Sequence, residues 1–104
     1  MKVGIKNQIK KTVVEELTAK VMGSGRLDVF ATPAMVAMME EAAHTSVETE
    51  LEEGQGTVGT SMTVSHLAAT PVGMEVTCES ELVEVDGRKL VFEIKAMDEA
   101  GLIG

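Results

Sequence analysis

Few side chains in this sequence are equipped for chemistry. There are two histidines, His44 and His66, one cysteine, Cys78, and a glutamate pair, Glu40 and Glu41, beside a methionine-rich stretch. His66 closes an alternating segment just ahead of Leu67-Ala68-Ala69-Thr70-Pro71-Val72-Gly73, and an imidazole on a rigid support can relay protons near neutral pH. A single histidine at such a place is more often structural. Glu40 borders an apolar stripe, where partial desolvation would disturb its titration, although paired glutamates on helices usually face water. His44 falls inside the same helical stretch and reads as a surface or interface residue. Thr32, ahead of Pro33, is explained by helix capping alone. Cys78 reads as a small core residue. A lone cysteine excludes an internal disulfide and fits a reducing compartment. Two histidines and one cysteine without ligand spacing argue against a metal site, and Gly23-Ser24-Gly25 lacks the Walker pattern. Neither metal nor cofactor is expected.

These groups need elements to hold them. Residues 30–51 carry the strongest helical signal: Thr32 as N-cap, Pro33 at the first helical position, then Ala, Met and Glu, with Gly54 as the stop. This predicts one helix of about 20 residues, about 30 Å long. Met35, Met38, Met39, Ala42, Ala43 and Val47 recur at the helical period and form its buried stripe. Phe30, just outside the cap, is placed to act as a hydrophobic staple. Ahead of the helix, a strand is expected somewhere in residues 8–19, then a loop at Gly23-Ser24-Gly25. Past Gly56 the period changes to two. Val58, Thr60, Met62, Val64 and His66 share one face, which predicts a strand over residues 57–66. Met74, Val76, Cys78, Ser80 and Leu82 predict a second, running to about Val85. Asp86-Gly87 then signals a hairpin to a third strand over residues 89–97. Strand, long helix and meandering antiparallel strands make an α+β layout, with one helix packed on an antiparallel sheet.

The whole chain limits its partners. At 104 residues it is one domain, small enough to gain from pairing with a copy of itself. Its only aromatics are Phe30 and Phe92, so the core falls to aliphatic residues and eight methionines. No apolar run reaches membrane-spanning length and no signal peptide is visible, so a cytoplasmic protein without membrane association is expected. A net charge of −8 argues against general nucleic-acid binding.

One resemblance sharpens this picture. Phe30-Ala31-Thr32-Pro33-Ala34-Met35, then Met39-Glu40, Val58-Gly59-Thr60 and His66-Leu67-Ala68-Ala69-Thr70-Pro71-Val72-Gly73, together resemble the hotdog-fold thioesterases of the fluoroacetyl-CoA thioesterase type. The resemblance runs from about Val14 to Gly104. The glutamate eight residues after the threonine and the histidine twenty-six further on match that family's catalytic spacing. It implies Thr32, Glu40 and His66 as a catalytic trio, Gly59 as a backbone donor to the thioester oxygen, and a homodimer or larger homo-oligomer with sites at the subunit interface. It also implies a single hotdog domain over residues 1–104 that lacks the family's last strand. Where the namesake carries aromatic residues at its pocket entrance, Met22-Gly23-Ser24-Gly25-Arg26 has none, a departure that bears on fluoroacetyl selectivity.

The expected activity is hydrolysis of a short-chain acyl-CoA to free acid and CoA. Glu40 would act as nucleophile or as base toward water, His66 as proton carrier, and Thr32 as a positioning hydroxyl. The alternatives are a non-catalytic hotdog module that binds acyl-CoA or another small ligand as a sensor, and a purely structural dimerisation domain.

Overall fold

Sixteen residues with strong helix propensity, Thr32–Val47, form the long helix of the computed structural model, which describes all of residues 1–104. The elements in order are β1 (Lys6–Thr12), a 3-10 turn (Glu15–Leu17), α1 (Ala19–Met22), α2 (Thr32–Val47), a second 3-10 turn (Glu48–Glu50), β2 (Glu75–Asp86), β3 (Lys89–Asp98) and β4 (Gly101–Leu102). The strands make one four-stranded sheet, β1-β2-β3-β4, antiparallel at every step.

The helix buries its predicted stripe, with Ala34, Met35, Met38, Met39, Ala42, Ala43 and Val47 all withdrawn from water. Facing it are Val76, Cys78 and Leu82 of β2 and Ala96 of β3, none of them exposed. Phe30 and Met35 lie in the same buried cluster, as a staple around the helix start requires. Each such side chain contributes about 1.5–3 kcal/mol when fully buried. The other face of the sheet is charged and solvated: Lys6, Glu81 and Glu93 lie side by side, as do Gln8, Glu79 and Lys95.

A polar clamp fixes the helix along the sheet. The Ala42 carbonyl accepts from Asn7 Nδ2 on β1 at 3.1 Å and from Ser80 Oγ on β2 at 3.2 Å, and Asn7 Nδ2 also donates to Thr45 Oγ1 at 2.9 Å. The predicted hairpin is present, with Asp86 opposite Lys89 and Gly87 at φ 59°, the positive angle that a type II′ turn needs at its first central residue. The register shifts between Leu82 and Glu84, marking a bulge in β2.

Three expectations need correction. The strand sought within residues 8–19 is β1, which lies earlier; after it, the Thr18 hydroxyl binds the Glu15 carbonyl and caps α1 through the Val21 N–H, so the chain turns into short helices. Residues 57–66 form no strand. They lie alongside α2, but residues 56–66 make no backbone hydrogen bond at all, and Val58 is 85% exposed. Alternation predicts an extended backbone between two environments; it does not supply a neighbour, and without a ladder there is no strand. Finally, Thr32 is not the N-cap. Ala31, extended at ψ 141°, holds that position, and Thr32 is the first helical residue.

Candidate active site

That one-residue shift frees the Thr32 hydroxyl. As an N-cap it would accept from the helix's own N–H groups. At the first helical position it instead meets His66 Nδ1 at 2.7 Å, joining residues 34 apart in sequence. The other ring nitrogen of His66, Nε2, is buried and has no partner. A buried polar atom without a partner is costly, and at a functional site it is where a ligand or water belongs. An imidazole held through one nitrogen with the other free can pass a proton between the hydroxyl and a group that reaches the free nitrogen.

The backbone around this pair is fixed from several directions. Ala31 N–H donates to the Leu17 carbonyl and Phe30 N–H to the Thr70 carbonyl, each at 2.8 Å. On the far side of His66, Leu67 N–H donates to the Ile103 carbonyl at 2.7 Å.

Glu40 lies two turns further along α2. The helix is continuous from Thr32 to Val47, so the two residues are separated by about 12 Å of rise and do not meet. The Glu40 side chain is exposed in the single chain rather than desolvated as expected, and it makes no hydrogen bond to Thr32 or His66. It rests instead against Gly59: a Cβ added to Gly59 would overlap Glu40 Oε2. Residues 59–66 therefore run back along the helix, with Gly59 beside Glu40 and His66 beside Thr32. The Gly59 N–H is unpaired within the chain.

Other candidates fall away from this line. Cys78 is fully buried, and burial pushes its thiol up to about 11, against a weaker downward pull from the Lys11 charge. It is a core residue and not a nucleophile. His44 Nδ1 lies 3.2 Å from Glu48 Oε1 on the exposed side of α2. Two surface hollows, one around His44 and residues 51–57 and one over β1–β3 beside Thr63, are lined by none of Thr32, Glu40 and His66. Sequence reasoning missed Thr70 and Asp98, reading both only as turn residues. Thr70 is fully buried, and its hydroxyl donates to Asp98 Oδ2 at 2.8 Å. That bond holds the Asp98 carboxyl below the usual carboxylate range, against a desolvation that works the other way and with help from the Ala100 and Gly101 N–H groups.

A long helix laid on a meandering antiparallel sheet, with a threonine–histidine contact at the helix start, is the architecture of a hotdog-type domain. The comparisons with known proteins are specific. The family model described as FlK, fluoroacetyl-CoA-specific thioesterase, matches residues 13–104, and the chain belongs to this family. It is 44% identical over 77 residues to the fluoroacetyl-CoA thioesterase of Streptantibioticus cattleyicolor, an alignment covering 74% of this chain and 55% of that protein's length. A crystal structure of a mutant fluoroacetyl-CoA-specific thioesterase in complex with fluoroacetate and CoA superposes with a TM-score of 0.93 at 35% identity, covering 99% of this chain and 87% of the other. A hot-dog-like protein from Thermanaerovibrio acidaminovorans superposes with a TM-score of 0.88 at 27% identity, covering 97% and 75%.

Proposed function

We propose that this chain is an acyl-CoA thioesterase that hydrolyses a short-chain acyl-CoA to free acid and CoA, working as a homodimer with Thr32, Glu40 and His66 as its reacting groups. The observation that carries this reading is the 2.7 Å contact between Thr32 and His66 beside a buried, unpartnered Nε2. In the net reaction, water oxygen bonds to the acyl carbon, the carbon–sulfur bond breaks, and the departing thiolate takes a proton. Glu40 either takes a proton from the water or attacks the carbonyl to give an anhydride that water then opens. His66, through its unpartnered Nε2, carries a proton toward the sulfur. The unpaired Gly59 N–H donates to the oxygen as it becomes negative, where such a donor matters most. The relative crystallised with fluoroacetate and CoA holds the two products of such a hydrolysis, which supports the substrate class.

The dimer is supported by what one chain leaves unfinished. Residues 56–66 have no backbone partner, and only 18 of 104 residues are buried. A second copy laid against this segment would pair its backbone and cover Val58. It would also resolve the separation of Thr32 from Glu40, since Glu40 of one protomer can serve the Thr32–His66 pair of its partner.

The deciding experiment incubates the protein with acyl-CoAs of two to eight acyl carbons, a range of about fourfold in chain length, and follows thiol release colorimetrically. The expected outcome is turnover of the shorter members that falls by roughly 10²-fold in Glu40→Gln. Binding of acyl-CoA without thiol release would instead mark a ligand-binding module.

A further inference from the structure

We propose that the buried Thr70 hydroxyl and the Asp98 carboxylate form a latch that positions the Thr32–His66 pair, so that Thr70 is a positioning residue for the reaction. The proposal rests on the reading of Thr32 and His66 as reacting groups. Its basis is a closed circuit of hydrogen bonds.

Thr32 and His66 belong to separate segments, α2 and residues 56–66, and the only hydrogen bond between those segments is their own side-chain contact. Thr70 ties both segments to the sheet. Its carbonyl accepts from Phe30 N–H at 2.8 Å, two residues before Thr32, and its hydroxyl donates to Asp98 Oδ2 at 2.8 Å. Asp98 ends β3, and its second oxygen accepts from Ala100 N–H at 2.8 Å and Gly101 N–H at 3.1 Å, shaping the turn into β4. That turn delivers Ile103, whose carbonyl accepts from Leu67 N–H, one residue beyond His66. The path from Thr32 through Phe30, Thr70, Asp98, β4 and Leu67 therefore returns to His66. Thr70 sits where the threonine side and the histidine side join.

Burial makes the latch hard to replace. Thr70 is fully withdrawn from water, so no solvent molecule can substitute for its acceptor at no cost. Without the bond, the loop after His66 keeps its packing but loses its polar tie to the β3–β4 turn. A donor–acceptor pair set at 2.7 Å tolerates little displacement before proton transfer suffers.

The test uses Thr70→Val, which keeps the volume and removes the donor, and Thr70→Ser, which restores it. Turnover and the ¹⁵N shifts of both imidazoles are measured in each variant. Thr70→Val is expected to lower kcat about tenfold while KM stays within about twofold, and Thr70→Ser to recover most of that loss. The His66 resonances should move in Thr70→Val and return in Thr70→Ser, with those of His44, on the far side of α2, unchanged throughout. On the residual activity of Thr32→Ala, Thr70→Val should add nothing, because the pair it positions is already broken. Unmoved His66 resonances, or losses that multiply in the double variant, would overturn the latch. Full turnover in Thr32→Ala and His66→Ala would overturn the catalytic reading instead, leaving the imidazole shifts to judge the latch by themselves. If Thr70→Val does not fold, Asp98→Asn weakens the same bond from its acceptor end and is expected to give the same changes at smaller size.

Discussion

The body formed by α2 and β1–β3 and the segment of residues 56–66 are equally patterned in sequence but opposite in structure. In the body, the helical and strand periods each find a partner: methionines of α2 meet Val76, Cys78 and Ala96. In the segment, a regular alternation ends in an extended chain with no backbone hydrogen bond and Val58 in water. The body is complete within one chain, whereas the segment carries Gly59 and His66, two of the groups proposed for chemistry, and is not. The proposed homodimer accounts for that difference, since a backbone left unpaired in one chain can be paired by a second.

Predictions follow from that contrast in order of size. Leu82→Ala, in the body, should cost about 2–5 kcal/mol in urea unfolding, since a fully buried side chain leaves a cavity. His66→Ala and Glu40→Gln should leave unfolding unchanged and lower turnover by roughly 10²-fold, as for loss of an acid–base group. Gly59→Ala should displace the Glu40 carboxylate and cost about tenfold in kcat, with little change in melting temperature.

Cys78 makes a probe of the body alone. Its native thiol stays protonated to about pH 11, while in the unfolded chain it ionises near 9.0. Between those values the unfolded state binds fewer protons, so stability should fall as pH rises through this window and be unaffected below it. Urea curves of wild type and Cys78→Ala at pH 8 and 10.5 isolate the effect, with a window of about two pH units set by the shift. The smallest effect belongs to the segment: Val58→Ser should change unfolding within about 0.5 kcal/mol at protein concentrations where the chain is monomeric. The same variant should weaken self-association by sedimentation equilibrium, and a cost above 2 kcal/mol in the monomer, about the size of a buried-core effect, would erase the contrast.

What the sequence disclosed depended on the range of the interaction. The Met35–Val47 stripe and the Asp86-Gly87 hairpin are local patterns, and both appear in the structure as expected. The alternation in residues 57–66 fixed two faces but carried no information about a ladder, which is a property of two segments. Thr32 shows how fine the margin is: cap and first helical position differ by one residue, and that residue decides whether the hydroxyl serves the helix or His66. Thr70 and Asp98 were hidden for another reason. Each satisfies a turn signal by itself, and the bond between them spans 28 positions.

The clamp on the Ala42 carbonyl has a consequence for how this chain can change over generations. Methionine contacts are pliable, so they hold a helix against a sheet without dictating where along it the helix rests. Asn7 and Ser80 dictate that instead, by gripping one carbonyl near the helix's middle. Exchanges among Met35, Met38 and Met39 can therefore repack the core while the helix that carries Thr32 and Glu40 keeps its position along the sheet. Lineages carrying such a clamp are free to vary the packing beneath the helix one methionine at a time, without shifting the residues on its outer side.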